Sequence, residues 1–183
     1  NLYRKSLTLR KTKTDKVDAK CIAQLLITAE SNPVSVSYQI QELKALTRHR
    51  FRLVSQRTKL KVSISRLVVI LFPELPTVCC SVTQAAIKVL LLELPGARQI
   101  AACRIDRLTN LLASASKGRY GRAKAVEIKS LAKQSIGANS PATSLELQLT
   151  LQQLDFLIQQ INKLDKAIRA AVVQTQSPIL TIP

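Results

Sequence analysis

The stretch LKALTRHRFRLVSQRTKLKVSISRLVVIL, Leu43–Leu71, sets the fold class, because its apolar residues recur at alternating steps of three and four. Seven of the nine positions on this spacing are apolar, and residues 39–71 contain neither Gly nor Pro. The pattern predicts one long helix with a coiled-coil seam, which the two prolines that follow it end. Arg50 and Arg57 interrupt the seam, and such residues either set its register or mark where a partner helix ends.

A second run of the same kind lies near the other end of the sequence. Its heptad positions from Leu147 to Val172 are apolar except for Asp165. Ser140-Pro141 is a helix-start signal, and Ser177-Pro178 is predicted to close this helix. Two apolar-striped helices of equal length suit an antiparallel pair, whose seam closes either within one chain or between two chains.

The region between the two long helices predicts a small, basic helical insertion. The turn SKGRYG, Ser116–Gly121, and the breaker Pro95-Gly96 separate its candidate helices. These candidate helices cover about residues 81–92, 97–103, 105–115 and 120–134. No run of alternating β-branched residues indicates a strand. The sequence therefore predicts an all-α chain, a long antiparallel helical hairpin or coiled coil with a helical insertion.

The charge of the chain points to a polyanionic partner. The 28 Lys and Arg residues against 11 Asp and Glu residues give a formal net charge of +17. Such a field attracts nucleic acid in particular. The aromatic content of only 3% counts against binding single strands by base stacking. No apolar run reaches the roughly 18 residues that a membrane span requires, so no membrane partner is expected.

The segment TKTDKVDAK, Thr12–Lys20, places Asp15 and Asp18 three residues apart at a predicted helix start. On a helix both carboxylates share one face on adjacent turns. Two hard oxygen ligands at that spacing can hold Mg²⁺, which neutralises phosphate and activates a bound nucleophile. Acids in a first turn also stabilise any helix by capping it and by opposing its dipole. Spacing alone favours the capping interpretation.

Candidate nucleic-acid contacts are basic side chains beside these acids, along the outer side of the first long helix, and around the turn GRYG. They are Lys11, Lys13, Lys16, Arg48, Arg52, Lys117, Arg119, Arg122 and Lys124. Each cluster has a second interpretation as a solvated charged face. The turn matches the G-x-x-G loop of KH domains, but a turn between helices is the better interpretation because a KH fold needs strands.

The segment Arg4–Leu26, with its motif Lys13-Thr14-Asp15-Lys16-Val17-Asp18-Ala19, resembles the DEDD transposases of bacterial insertion sequences, the insertion-sequence 110 family. That family is related to Piv-type DNA invertases. Glu42–Lys61 resembles the long helix that follows in the family, Ser116–Gly137 its middle segment, and ILTIP, Ile179–Pro183, the start of its I-P-G-I-G motif.

The resemblance implies a RuvC-like, RNase H-type catalytic domain whose four acids bind Mg²⁺ or Mn²⁺, with Asp15 and Asp18 as the last two acids. It also implies a coiled coil for dimerisation and a C-terminal transposase domain with a serine nucleophile. The implied partners are DNA, the element's own noncoding RNA and a second copy of the chain, in the bacterial cytoplasm at the nucleoid.

On the same resemblance, the first Asp and the Glu are expected before Asn1 and the serine domain after Pro183, so the chain is interpreted as a fragment. The expected parts, in sequence order, are a catalytic-domain remnant (1–32), a first long helix (38–74), the insertion (75–140), a second long helix (141–176) and the start of the last domain (177–183). The intact parent is expected to cleave and rejoin DNA in transposition, whereas this chain is expected to be inactive and to bind no metal stably. The alternative is a non-catalytic, basic helical module that binds nucleic acid or dimerises.

Overall fold

The computed structural model describes residues 15–29 and 38–174, and all regular structure in these residues is helical. The all-α prediction is thereby confirmed for this part of the chain. The chain divides into two compact units, Asn1–Gln41 and Glu42–Pro183. The helices of the described residues are α1 (Asp15–Ala29), α2 (Tyr38–Leu71), α3 (Leu75–Val78), α4 (Ala85–Glu93), α5 (Ala97–Ala102), α6 (Ile105–Ser116), α7 (Arg122–Gln134) and α8 (Pro141–Gln174).

The two long helices, α2 and α8, each contain 34 residues. At 1.5 Å per residue this is about 51 Å of helix. The predicted start signal of α8 is confirmed, since Pro141 is its first residue and the Ser140 hydroxyl accepts a hydrogen bond from the N–H of Thr143 at 3.2 Å. A serine before the first turn satisfies an N–H that the helix itself leaves open. The closing signal Ser177-Pro178 lies outside the described residues.

The helices α2 and α8 run antiparallel. Arg50 Nε donates to Asp165 Oδ1, and Arg66 Nη2 lies 3.6 Å from Glu146 Oε1. The contact nearer the start of α2 is thus made to the end of α8, and the contact nearer the end of α2 is made to the start of α8. Arg50 and Asp165 are polar interruptions of the two predicted seams, and they face each other. Because α8 continues past this pair to Gln174, the interpretation that Arg50 marks the end of its partner helix is wrong.

The hydrophobic core lies at the end of this pair against which the short helices pack. Ile64, Leu67 and Leu71 of α2 are fully buried there, whereas Leu43 and Leu46 at the other end are only half-buried. The other helices contribute the fully buried residues Ile87, Leu90, Leu91, Ile100, Leu108, Leu112, Ala125, Ile128, Leu147 and Leu151. Burying one such aliphatic side chain contributes about 1.5–3 kcal/mol, so this end carries most of the apolar stabilisation.

Polar contacts fasten the insertion to α8. The ammonium group of Lys88 in α4 donates to the carboxylate of Asp155, and Gln148 Nε2 donates to the carbonyl oxygen of Leu92 at 2.7 Å. Asp155 and Gln148, the two residues of α8 in these contacts, each lie one helical turn from the buried Leu151. The side chains that border the core therefore fix α4 along the long helix.

The insertion is helical as predicted, and α2 ends at Leu71, before Pro73 and Pro76, also as predicted. The short helix α3 was not predicted, and Pro76 lies in its first turn, where the missing N–H has no helical partner to lose. α4 begins at Ala85 rather than near residue 81. The hydroxyl of Ser81 instead accepts a hydrogen bond from the N–H of Thr83 at 3.2 Å. Such local side-chain bonds offer the backbone an alternative to the helix.

The link between α7 and α8 crosses the end of α2. The N–H of Ala138 donates to the carbonyl oxygen of Ile70 at 2.8 Å. The carboxylate of Glu74 accepts from the Ser135 hydroxyl and from the N–H of Ile136. Burial raises the pKa of Glu74, but hydrogen bonds from Ser135, from the N–H of Ile136 and from its own backbone together outweigh burial and leave the pKa below its ordinary value. None of the helices in residues 15–29 and 38–174 is long and apolar enough to cross a membrane.

Candidate metal ligands and nucleic-acid interface

Asp15 and Asp18 lie in the first turn of α1, which begins at Asp15. The side chain of Asp15 is exposed, and that of Asp18 is half-buried. Their spacing places the two carboxylates on one face of the helix. Acids in this position oppose the positive end of the helix dipole. The capping interpretation and the metal interpretation both require this placement.

The donor chemistry of the two carboxylates fits a hard divalent cation, which takes oxygen ligands and keeps several waters. In residues 15–29 and 38–174, no three or more His, Cys, Asp or Glu side chains group closely enough to hold a metal ion. Asp15 and Asp18 therefore fit as two ligands, and a complete site needs further ligands from outside the described residues.

Three lysines were predicted to hold phosphate beside these acids. Lys16 lies in the first turn of α1 and is exposed. Lys11 and Lys13 lie outside the described residues. Lys16 is thus the basic side chain that α1 places next to Asp15.

The outer face of α2 carries a basic and aromatic cluster. Arg48 and Arg52 are exposed one helical turn apart, and the ring of Phe51 beside them is 75% exposed. With Ala45 and Thr47 they line an open surface cavity of about 670 Å³. Over its whole length α2 carries eight Lys or Arg side chains and one acid, so the helix has a positive field. Sequence reasoning missed Phe51, although its position outside the heptad seam was an available signal.

The turn between α6 and α7 is the GRYG segment. Lys117 and Gly118 adopt left-handed backbone conformations with φ of 54° and 81°. The Ser116 hydroxyl accepts a hydrogen bond from the N–H of Tyr120 at 2.8 Å, and the Tyr120 hydroxyl donates to Gln84 Oε1 at 2.7 Å. These contacts hold the turn against the start of α4. The interpretation as a turn between helices is confirmed, and no strand accompanies it within the described residues.

Residues 1–73 match the family model of the insertion-sequence 110 DEDD transposases, whose description is Transposase. The matched range contains Asp15 and Asp18 and ends two residues after α2. Over these residues the chain is similar to the DEDD transposase family. The resemblance predicted from the sequence is therefore confirmed for this segment, and the match supports a transposase-related function. The comparisons with curated proteins and with solved structures returned no match.

The basic residues around the α6–α7 turn fall into two groups. Arg122 and Lys124 form ion pairs with acids of α6 and α7, at 2.9 and 2.8 Å. Lys117 and Arg119 are exposed and line a cavity of about 340 Å³, and neither forms an ion pair with another described residue. Two of the four predicted phosphate contacts are therefore available, and two are already engaged by carboxylates.

Proposed function

We propose that this chain binds DNA for a transposition reaction and that Asp15 and Asp18 supply two ligands of a divalent metal. The observation that carries the proposal is the family match over residues 1–73, because the matched segment holds both acids on one face of α1. When bound, the metal neutralises the phosphate and lowers the pKa of the attacking oxygen, which serves strand cleavage and rejoining.

The basic side chains hold the DNA backbone in this proposal. Lys16 contacts a phosphate beside the two acids, while Arg48 and Arg52 contact phosphates along α2. Lys117 and Arg119 do so at the α6–α7 turn. Phosphate contacts fix the position of the duplex without reading its sequence. The element's own noncoding RNA carries the same phosphates and is the second proposed partner, which places the protein at the nucleoid in the bacterial cytoplasm.

Self-association through α2 and α8 is part of the proposal. The seam residues Leu43, Leu46, Leu53 and Ile168 are only half-buried in a single chain. Apolar seam surface of this kind is covered when a second copy adds its own helices. A mass that doubles in sedimentation as the protein concentration rises supports this, and a monomer at every concentration contradicts it.

Asp15→Asn and Asp18→Asn test the metal assignment in the intact transposase. Each change replaces an anionic ligand by a neutral amide, so transposition of a marked element should fall to background, whereas DNA binding and helix content should persist. Asp106→Asn is the matched control, because Asp106 is also a first-turn acid, on α6. This control should transpose normally.

Undiminished transposition by both variants would return Asp15 and Asp18 to a helix-capping role. If transposition is undiminished, DNA binding that also ignores both substitutions and weakens steeply with salt would favour the non-catalytic nucleic-acid-binding module. A dimer that binds no nucleic acid at physiological salt would favour a dimerisation module instead.

A further inference from the structure

The ring of Phe51 lies on the surface, whereas the ring of Phe72 lies in the core. Phe72 is fully buried, whereas Phe51 is 75% exposed on the outer face of α2. Single exposed apolar side chains are common on protein surfaces. Phe51, however, shares a cavity of about 670 Å³ with Arg48 and Arg52. The ring and the two guanidinium groups therefore open onto the same solvent-filled space.

The surroundings of the ring are basic. Arg48 and Arg52 lie four residues apart, which is about 6 Å along the helix axis. Neither forms an ion pair within the described residues. Lys44 is exposed one turn before Arg48, and Glu42 is the one acid of α2. An anion that approaches Phe51 thus meets several cations with unused hydrogen-bond donors.

We propose that Phe51 is a stacking platform for an unpaired base of single-stranded DNA, with Arg48 and Arg52 holding the phosphates on either side of that base. The inference rests on the proposed DNA binding and adds to it the form of the DNA. Cleavage and rejoining of strands expose unpaired bases, and every base has a π-face that an aromatic ring can cover. Bases within an intact duplex already stack on their neighbours, so duplex DNA offers Phe51 no free face.

The low aromatic content of the chain does not oppose this inference, because one ring between two arginines makes one stacking site. Base stacking on an aromatic side chain accounts for on the order of tenfold in affinity per base. The guanidinium group of an arginine can bind a phosphate, and because it is planar it can also stack on a base. The site therefore accepts a base without regard to its sequence.

A second copy of the chain fits the Phe51 surface poorly. A symmetric contact through this surface would place the basic patch of one copy against the same basic patch of the other. Like charges brought together without an intervening acid repel each other. The basic character of this face therefore favours a polyanion over self-association.

Phe156 on α8 supplies a matched control. Its ring is 60% exposed, close to the exposure of Phe51. It lines an apolar groove with Leu60 and Leu157, where Lys59 is the one cation among the lining residues. If exposed aromatic surface alone increased the affinity for single-stranded DNA, both rings would contribute to binding. If the increase comes from base stacking between two arginines, only Phe51 contributes.

The first test uses tryptophan fluorescence in the full chain. The chain contains no Trp, so Phe51→Trp introduces a single reporter that can still stack on a base. A short oligothymidine should quench this fluorescence, and a duplex of the same length should quench it much less. Phe156→Trp should respond to neither DNA. Equal quenching at both positions, or none at residue 51, would overturn the inference.

The second test measures affinity. Phe51→Ala should weaken binding of the oligothymidine on the order of tenfold and leave duplex affinity unchanged, while Phe156→Ala changes neither. Both positions are exposed, so circular dichroism melting should confirm intact folding. Unchanged single-strand affinity in Phe51→Ala would overturn the inference, as would a change in sedimentation mass without a change in binding. A wild-type chain that binds neither DNA at low salt would instead overturn the proposed DNA binding itself.

Discussion

At Gly137 the backbone of the α7–α8 link lies directly on the last turn of α2. A Cβ atom at this position would lie 2.2 Å from the carbonyl oxygen of Leu71 and 2.6 Å from its carbonyl carbon. Both are backbone atoms at a helix end, and they cannot rotate away as a side chain can. The hydrogen bond from Ala138 to Ile70 next to it requires the same close approach. The absence of a side chain at residue 137 is therefore what allows the link to cross α2.

Gly137→Ala is expected to lower the free energy of unfolding by about 1–3 kcal/mol, because the added methyl group forces the link away from α2. Denaturant unfolding followed by circular dichroism measures the change. Gly96→Ala is the control, since nothing lies within 4 Å of a Cβ atom there, and its cost should be below about 1 kcal/mol. Equal costs at the two glycines would contradict this account of the crossing.

Between α2 and α8, a polar layer interrupts the apolar seam. The hydrogen bond from Arg50 is the main cause that lowers the pKa of Asp165, although burial opposes it, and Arg169 and Arg57 add to the lowering. The same bond raises the pKa of Arg50. Arg57 has a buried Nε atom without a hydrogen-bond partner among the described residues. A polar pair in an apolar seam sets which residues of the two helices face each other, at a cost in stability.

The Arg50–Asp165 pair predicts a difference in how stability depends on pH. A carboxyl group whose pKa is lowered by folding stabilises the folded state above its unfolded pKa, about 3.9 for Asp, and this contribution is lost as the pH falls further. Below about pH 4 the wild type should therefore lose melting temperature more steeply than Asp165→Asn. Arg50→Gln should reduce the pH dependence of the melting temperature in the same way. The double variant should show the same pH dependence as either single variant. Parallel curves for wild type and Asp165→Asn would show that the pair does not form.

For the whole molecule, the uneven charge is the property that bears most on function. The chain carries a formal net charge of +17, and α2 holds eight of its basic residues. By contrast, residues 145–173 hold equal numbers of basic and acidic residues. Electrostatic attraction to phosphate depends on counterion release and is therefore sensitive to salt. The proposed DNA surface should accordingly lie on α2 and the insertion rather than on α8.

Salt titration of DNA binding tests this assignment. Each phosphate contact contributes about 0.7 to the slope of log affinity against log salt for single strands and about 0.9 for duplex DNA. Arg48→Gln with Arg52→Gln should therefore reduce the slope by about 1.4 with oligothymidine. Lys163→Gln, an exposed cation on α8, should leave the slope unchanged. Equal reductions in both variants would mean that the binding surface is not confined to the basic face of α2.

The local patterns of the sequence were sufficient for the helices and for part of the candidate site. The apolar spacing from Leu43 to Leu71 predicted α2, and Ser140-Pro141 predicted the start of α8. The motif around Asp15 and Asp18 predicted the resemblance to the DEDD transposases, and residues 1–73 match the model of that family. Helix formation depends on hydrogen bonds four residues apart and on the period of apolar side chains, so a short segment contains the needed information.

Other features depend on residues that are distant in the sequence, and these only the three-dimensional packing decided. Arg50 and Asp165 are 115 residues apart, so neither seam alone reveals its partner. The contact of Gly137 with Leu71 likewise joins separate elements. The exposure of Phe51 follows from which face of α2 packs against α8 and the short helices. Helix positions come from local bonds, whereas pairing, crossing and exposure come from how distant apolar surfaces exclude water together.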